Sequence, residues 1–153
     1  MRALGIDYGR RRIGLALSDA TGLLARPWKT IAGTGGPARV AAALAGEIAA
    51  LACDADGLSA VVVGYPRRLN GERTDATAVV EAIVAGLRSR IDVPVVLQDE
   101  RLSSREAESV LAAHEKDWRK RKPLLDAAAA IILQDYLDGQ PRPQVEWRDG
   151  GDL

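Results

Sequence analysis

The sequence contains no phenylalanine, and aromatic residues make up only 4% of its 153 positions. Its core must therefore be assembled from Ala, Val, Leu and Ile. A single cysteine, Cys53, excludes an internal disulfide and any zinc site built on several thiolates. A single histidine, His114, excludes a histidine-rich metal centre and gives a serine hydrolase only one candidate base. No apolar run approaches the roughly 18 residues of a membrane-spanning helix. The opening Met1-Arg2-Ala3-Leu4-Gly5-Ile6-Asp7 meets a charge and a glycine too early for a signal peptide. A reducing, cytoplasmic setting is expected. Excess charge is absent too: 21 basic residues balance 21 acidic ones. Bulk charge alone would not make this chain coat nucleic acid.

What is present suits one globular domain, with 47% hydrophobic and 27% charged residues. Leu4 and Ile6 alternate with Ala3, Gly5 and Asp7, a period of two that places Asp7 on a face of small residues. A turn at Tyr8-Gly9-Arg10-Arg11 leads to a second alternation, Ile13, Leu15 and Leu17, so a hairpin opens the chain. A third strand is expected over 26–31. Gly33-Thr34-Gly35-Gly36-Pro37 breaks it and opens a helix burying Val40, Leu44, Ile48 and Leu51. Ala60 to Val63 reads as a central strand buried on both faces. Asp75 is the expected N-cap of a helix bearing Val79, Val80, Ile83, Val84 and Leu87. A fifth strand is expected over 93–97. Ser103-Ser104-Arg105-Glu106 is a capping box for a helix burying Ala107, Val110 and Leu111. Pro123 opens a last helix over 124–137. The order is β-β-β-α-β-α-β-α-α. It specifies an RNase H-like α/β fold: a five-stranded mixed sheet, led by an antiparallel meander, with helices on both faces. Residues 1–138 form the expected domain, and 139–153 a loose tail rich in Gly, Pro, Arg and Asp.

Three acids occupy positions that a metal site on a sheet would use. Asp7 ends the first strand, Glu100 follows the fifth, and Asp126 lies in the first turn of the last helix. Mg²⁺ prefers a few carboxylates together with water and phosphate oxygens. Two such ions about 4 Å apart activate a water and stabilise the leaving oxygen of a phosphodiester. Each acid also has a plain structural reading. Asp7 could end a strand, Glu100 could pair with Arg101 or Arg105, and Asp126 could complement a helix dipole. Asp126, however, leads an apolar face of Ala129, Ala130, Leu133 and Leu137. Of Asp99 and Glu100, only one is expected to face the site. Basic residues cluster at Arg10-Arg11-Arg12, Arg67-Arg68 and Arg119-Lys120-Arg121-Lys122. A charge run is usually a solvated face. Three runs beside one acidic site are better explained by a polyanion crossing it. Arg10, Arg12, Arg67, Arg68, Arg101 and Lys120 are the expected substrate contacts. Trp118 could stack on a base or pin its link. His114 falls on a buried helical stripe, and Cys53 reads as a small packing residue.

The motifs resemble one family in order. Gly5-Ile6-Asp7-Tyr8-Gly9 with Arg12-Ile13-Gly14-Leu15-Ala16 resembles the opening of the YqgF/RuvX family. Val63-Gly64-Tyr65-Pro66 with Asn70-Gly71-Glu72 resembles its second motif. Asp99-Glu100-Arg101-Leu102-Ser103-Ser104 with Ala107 resembles its third, and Asp126-Ala127-Ala128-Ala129 with Ile132-Leu133-Gln134 and Tyr136-Leu137 its fourth. Tyr65, Ser103 and Leu125 depart mildly from the family pattern, and none removes a carboxylate. The resemblance implies an RNase H-like nuclease processing the 5′ end of pre-16S rRNA, or a Holliday-junction resolvase. It implies catalytic and metal-binding roles for Asp7, Glu100 and Asp126, with Mg²⁺ as cofactor and Mn²⁺ as a substitute.

The leading expectation is thus a metal-dependent endonuclease acting on structured RNA, with a ribosomal assembly particle as a partner. The alternative is the same chemistry on branched DNA, which would suit a homodimer. No membrane partner is expected. A non-catalytic nucleic-acid-binding module is a further reading. An actin-like ATPase or sugar kinase also opens with a Gly-Ile-Asp strand, but it needs a second domain that this length cannot hold.

Overall fold

The computed structural model describes residues 1–66, 75–99 and 125–140, except the side chains of Leu125 and Asp126. The strands are β1 (Arg2–Tyr8), β2 (Arg12–Ser18), β3 (Ala25–Ala32), β4 (Leu58–Tyr65) and β5 (Val95–Asp99). The helices are α1 (Pro37–Ala52), α2 (Asp75–Arg88) and, after the undescribed segment, α3 (Leu125–Asp138). The strands form one sheet in the order β3-β2-β1-β4-β5. β1 pairs antiparallel with β2 and parallel with β4, β3 is antiparallel to β2, and β5 is parallel to β4. This is the mixed, meander-led sheet expected of an RNase H-like fold.

Alternation sorts the two faces. Leu4 and Ile6 of β1, Ile13 and Leu15 of β2, and Val61 and Val63 of β4 pack with α1 and α2. Those helices contribute Val40, Ala41, Leu44, Ile48 and Leu51, and Val80, Ile83, Val84 and Leu87. Ala3, Ala16 and Val62 face α3 and meet Ala129, Ile132 and Leu133. The central strand is buried on both sides because parallel crossovers cover both faces of a sheet. The α3 face is lined by small residues, which lets the helix come close. A β carbon built on Gly5 would stand 2.8 Å from the Ala129 carbonyl oxygen and 2.8 Å from Leu133 Cβ.

The structure shifts several expected elements. β5 runs over Val95–Asp99, two residues later than expected. The Pro94 carbonyl accepts the Val61 amide at 2.9 Å, and Pro94 itself has no N–H to give to a ladder. Asp75 lies in the first turn of α2 rather than before it. Cys53 is exposed, not packed. It follows the last turn of α1, where its backbone N–H reaches the Ala49 carbonyl. In β3 the register shifts between the partners of Leu15 and Ala16, making Trp28 an extra residue at a bulge. The expected helix after Ser103, His114, Trp118, and residues 141–153 of the expected tail lie outside the described residues.

One carboxylate gathers several donors of the β2–β3 connection. Asp19 Oδ1 accepts the amides of Leu23 at 2.9 Å and Leu24 at 3.2 Å, and Oδ2 accepts the Thr21 hydroxyl at 2.6 Å. The Thr21 bond, then the Leu24 and Leu23 amides, hold the Asp19 carboxyl below its ordinary range. A lowered folded-state value means that the ionised form stabilises the fold. That contribution is complete above the ordinary carboxylate range and is lost as pH falls through the lowered value. Asp19→Asn should therefore flatten the acid limb of a stability-against-pH curve measured by urea unfolding. An acid limb parallel to wild type would show that the loop contributes nothing through Asp19.

Candidate functional site

Asp7 is the only ionisable residue in the buried class among the described residues, at 5% exposure. Its neighbours on the same face of β1 are Ala3 and Gly5, so its carboxylate points to the α3 side. Burying a carboxylate is costly. Its presence on a face otherwise built of small apolar residues marks this end of the sheet. In the register, Asp7 stands opposite Gly14 of β2, and Gly14 opposite Thr30 of β3. On the other side Ile6 pairs with Val63, which sets Gly64 beside Asp7, and Gly64 pairs with Gln98 of β5. One row thus crosses the sheet on the α3 face: Thr30, Gly14, Asp7, Gly64, Gln98. A glycine stands on each side of the buried acid.

Two observations fix the direction of α3. Gly5 lies against Ala129 and Leu133. Farther along the helix, Gln134 clamps the start of β3. Its Oε1 accepts the Ala25 amide at 2.9 Å, and its Nε2 donates to the Leu23 carbonyl at 2.9 Å. The β2–β3 connection lies at the end of the sheet where β1 begins, because Leu4 pairs with Leu17. α3 therefore runs antiparallel to β1, and its first turn lies over the end where Asp7 stands. Asp126 is about 4.5 Å back along the axis from Ala129. Asp7 is about 6.6 Å on from Gly5. The backbone thus carries both acids to the same end of the sheet.

The hairpin tip between β1 and β2 lies at that end as well. Arg10 and Arg12 are exposed there. The tip is tied to the end of β3, since the Gly33 amide donates to the Arg11 carbonyl at 2.8 Å. A β carbon at Gly33 would stand 2.6 Å from the Gly9 carbonyl oxygen, so the backbones meet directly. Three exposed guanidinium groups, those of Arg10, Arg11 and Arg12, at the same end as a buried carboxylate suit a phosphate ester, whose charge the arginines would hold.

β5 fixes the side of the sheet on which Asp99 lies. Val62 faces α3 and pairs with Val96, so Val96 and Gln98 share that face. Val95 packs with α1 and α2, and Asp99 lies on the same side by alternation. Asp99 is exposed and turned away from Asp7. Glu100, Arg67, Arg68, Arg101 and Lys120 lie outside the described residues, as does the Asp126 side chain. No group of three or more metal-ligating side chains comes together among the described residues. The hard oxygen donor of Asp7 fits Mg²⁺ chemistry. The glycines beside Asp7 stood in the quoted motifs without a role, and the amide of Gln98 was not singled out. Strand register alone brings them level with the acid.

Residues 1–139 match the family model described as RuvX, Holliday junction resolvase. A protein of Geobacillus kaustophilus (strain HTA426), named as a candidate pre-16S rRNA nuclease, is 39% identical over 146 residues. The match spans 92% of this chain and 99% of that protein. A protein of the same name from Leifsonia xyli subsp. xyli is 41% identical over 138 residues, covering 90% of this chain and 85% of its own length. Among solved structures, RuvC of T. thermophilus in complex with a Holliday junction substrate superposes with a TM-score of 0.52. At 18% identity, over 90% of this chain and 93% of that one, it shares the fold. No helix among the described residues is long and apolar enough to cross a membrane. With the family model matched over nearly its whole length, and relatives near 40% identity over most of theirs, this chain belongs to the RuvX family.

Proposed function

We propose that the chain is a metal-dependent endonuclease that hydrolyses phosphodiester bonds in structured RNA, trimming the 5′ end of pre-16S rRNA in the cytoplasm. The observation that carries this reading is the meeting of Asp7 with the first turn of α3, which bears Asp126, at one end of the sheet. The names of the relatives supply the substrate class. Asp7 and Asp126 are the proposed metal holders. Glu100 completes the set, because Asp99 faces the other way. Bound Mg²⁺, or Mn²⁺ in its place, would activate the attacking water and stabilise the leaving oxygen. Asp7, held on a strand, would fix one ligand position without reorganisation. Arg10 and Arg12 would hold the phosphates on either side of the cut, with Arg67, Arg68, Arg101 and Lys120 continuing the track. An assembling ribosomal particle is the proposed setting.

The test offers the purified protein a pre-16S leader and a four-way DNA junction, each with Mg²⁺, Mn²⁺ or chelator. Metal-dependent cutting of the leader is the expected result. Cutting of neither substrate would sink the nuclease reading. The family model and the RuvC fold favour a second reading, junction resolution. Cutting a junction on two strands requires two sites related by a two-fold axis. Cleavage of the junction alone by a symmetric dimer would establish it.

Arg10 and Arg12 give a separate expectation. Each phosphate contact contributes about 0.9 to the slope of log affinity against log salt. Replacing both arginines by Ala should weaken binding and flatten that slope by about 2 for duplex substrates. An unchanged slope would place the phosphate track elsewhere.

A further inference from the structure

The row through Asp7 has polar side chains at both ends and none beside the acid. Gln98 sits at the β5 end, half-buried and on the α3 face. Strands in a sheet lie about 4.8 Å apart, so Gln98 is about 9–10 Å from Asp7 across Gly64. The gap between them is floored by a residue without a side chain. β5 is the last strand in the sheet order, so among the described residues no strand stands beyond Gln98. Its amide makes no hydrogen bond with a described residue.

We propose that Gln98 is a substrate-contacting residue of the candidate site, its amide hydrogen-bonding the 2′-hydroxyl of a ribose next to the phosphate cut at the Asp7 end of the sheet, so that the site favours RNA over DNA. This rests on the reading of Asp7 as the centre of the site. The chemistry selects the partner. A phosphate is met best by a cation, and among the described residues the hairpin tip at this end carries Arg10, Arg11 and Arg12. An amide is neutral and carries both a donor and an acceptor. The sugar hydroxyl is likewise neutral, and is both donor and acceptor. It is also the group that separates RNA from DNA. A half-buried amide that has given up part of its water is a better discriminator than an exposed one. Facing a deoxyribose, it is left without its partner.

The test measures binding of two oligonucleotides of identical sequence, one ribose and one deoxyribose, with Mg²⁺ present. It is done in the full chain carrying Asp7→Asn, where cleavage does not intrude. Gln98→Leu and Gln98→Met each remove the hydrogen-bonding groups at similar volume, so one serves if the other fails to fold. The parent should prefer the ribose strand, and both variants should lose about two- to tenfold of that preference while keeping their deoxyribose affinity. A parent without preference, or a preference intact in both variants, overturns the proposal. Failure of the catalytic reading is seen separately, as cutting at the wild-type rate in the Asp7→Asn chain.

Discussion

Asp7→Asn should slow cleavage by about a thousandfold, equivalent to about 4 kcal/mol of transition-state stabilisation. The substitution keeps the shape of the side chain and one oxygen but removes the charge that would hold the metal. The fold should persist. Asp7 is 5% exposed among small residues, and an amide is cheaper to bury there than a carboxylate. Affinity for the RNA leader should also be retained, because the phosphate contacts are assigned to the arginines. Single-turnover rates with Mg²⁺, together with melting followed by circular dichroism, would show the separation. Asp99→Asn is the matched comparison. It removes a neighbouring acid from the opposite face, and its rate should stay within about twofold of wild type. Wild-type cutting by the Asp7 variant would place the chemistry elsewhere. A large loss in the Asp99 variant would show that strand alternation misassigns the acid.

The contrast between these two acids shows what the sequence could reveal. In β1 the pattern Leu4 and Ile6 against Ala3, Gly5 and Asp7 is unambiguous, because one parity is large and apolar and the other small. The face of Asp7 was legible from it. In β5, Val95, Val96 and Leu97 are apolar on both parities, so alternation is silent about Asp99. The answer came from pairing: Val62 faces α3, and its partner Val96 fixes the parity of the whole strand. The limits of β5 were hidden for a related reason. Val93 looks like strand, but Pro94 lends its carbonyl to β4 and the run starts beyond it. The bulge at Trp28 has no sequence mark, since it arises from the register of β2 against β3. Cys53 was misread because a small apolar residue at a helix end can equally lie just past the buried stripe. That the first turn of α3 lies over the Asp7 end of the sheet needed the direction of the helix, which Gly5 and Gln134 supply.

That dependence on Gly5 leads to the largest expected loss of stability. Gly5→Ala should destabilise the fold by about 1–3 kcal/mol, as overpacking of a closed core does. The added β carbon would stand 2.8 Å from the Ala129 carbonyl oxygen and 2.8 Å from Leu133 Cβ. Neither is the end of a flexible chain. One is helix backbone, and the other is fixed to it by a single bond. Relief therefore requires α3 to move away from β1 as a body. For a domain of this size, each kcal/mol corresponds to about 2–4 °C in melting temperature. Gly46→Ala sets the opposite expectation within the same protein. Gly46 lies in α1, and a β carbon there meets nothing within 4 Å. The change should stabilise by about 0.5–1 kcal/mol, because Ala is the better helix former. The two substitutions add the same methyl group and should move the melting temperature in opposite directions. Movement of α3 would also carry the backbone of Asp126 away from Asp7, so Gly5→Ala should lower cleavage even at temperatures where it stays folded. Gly46→Ala should leave cleavage untouched. Full activity in a folded Gly5→Ala protein would mean that the spacing between α3 and β1 does not set the geometry of the site.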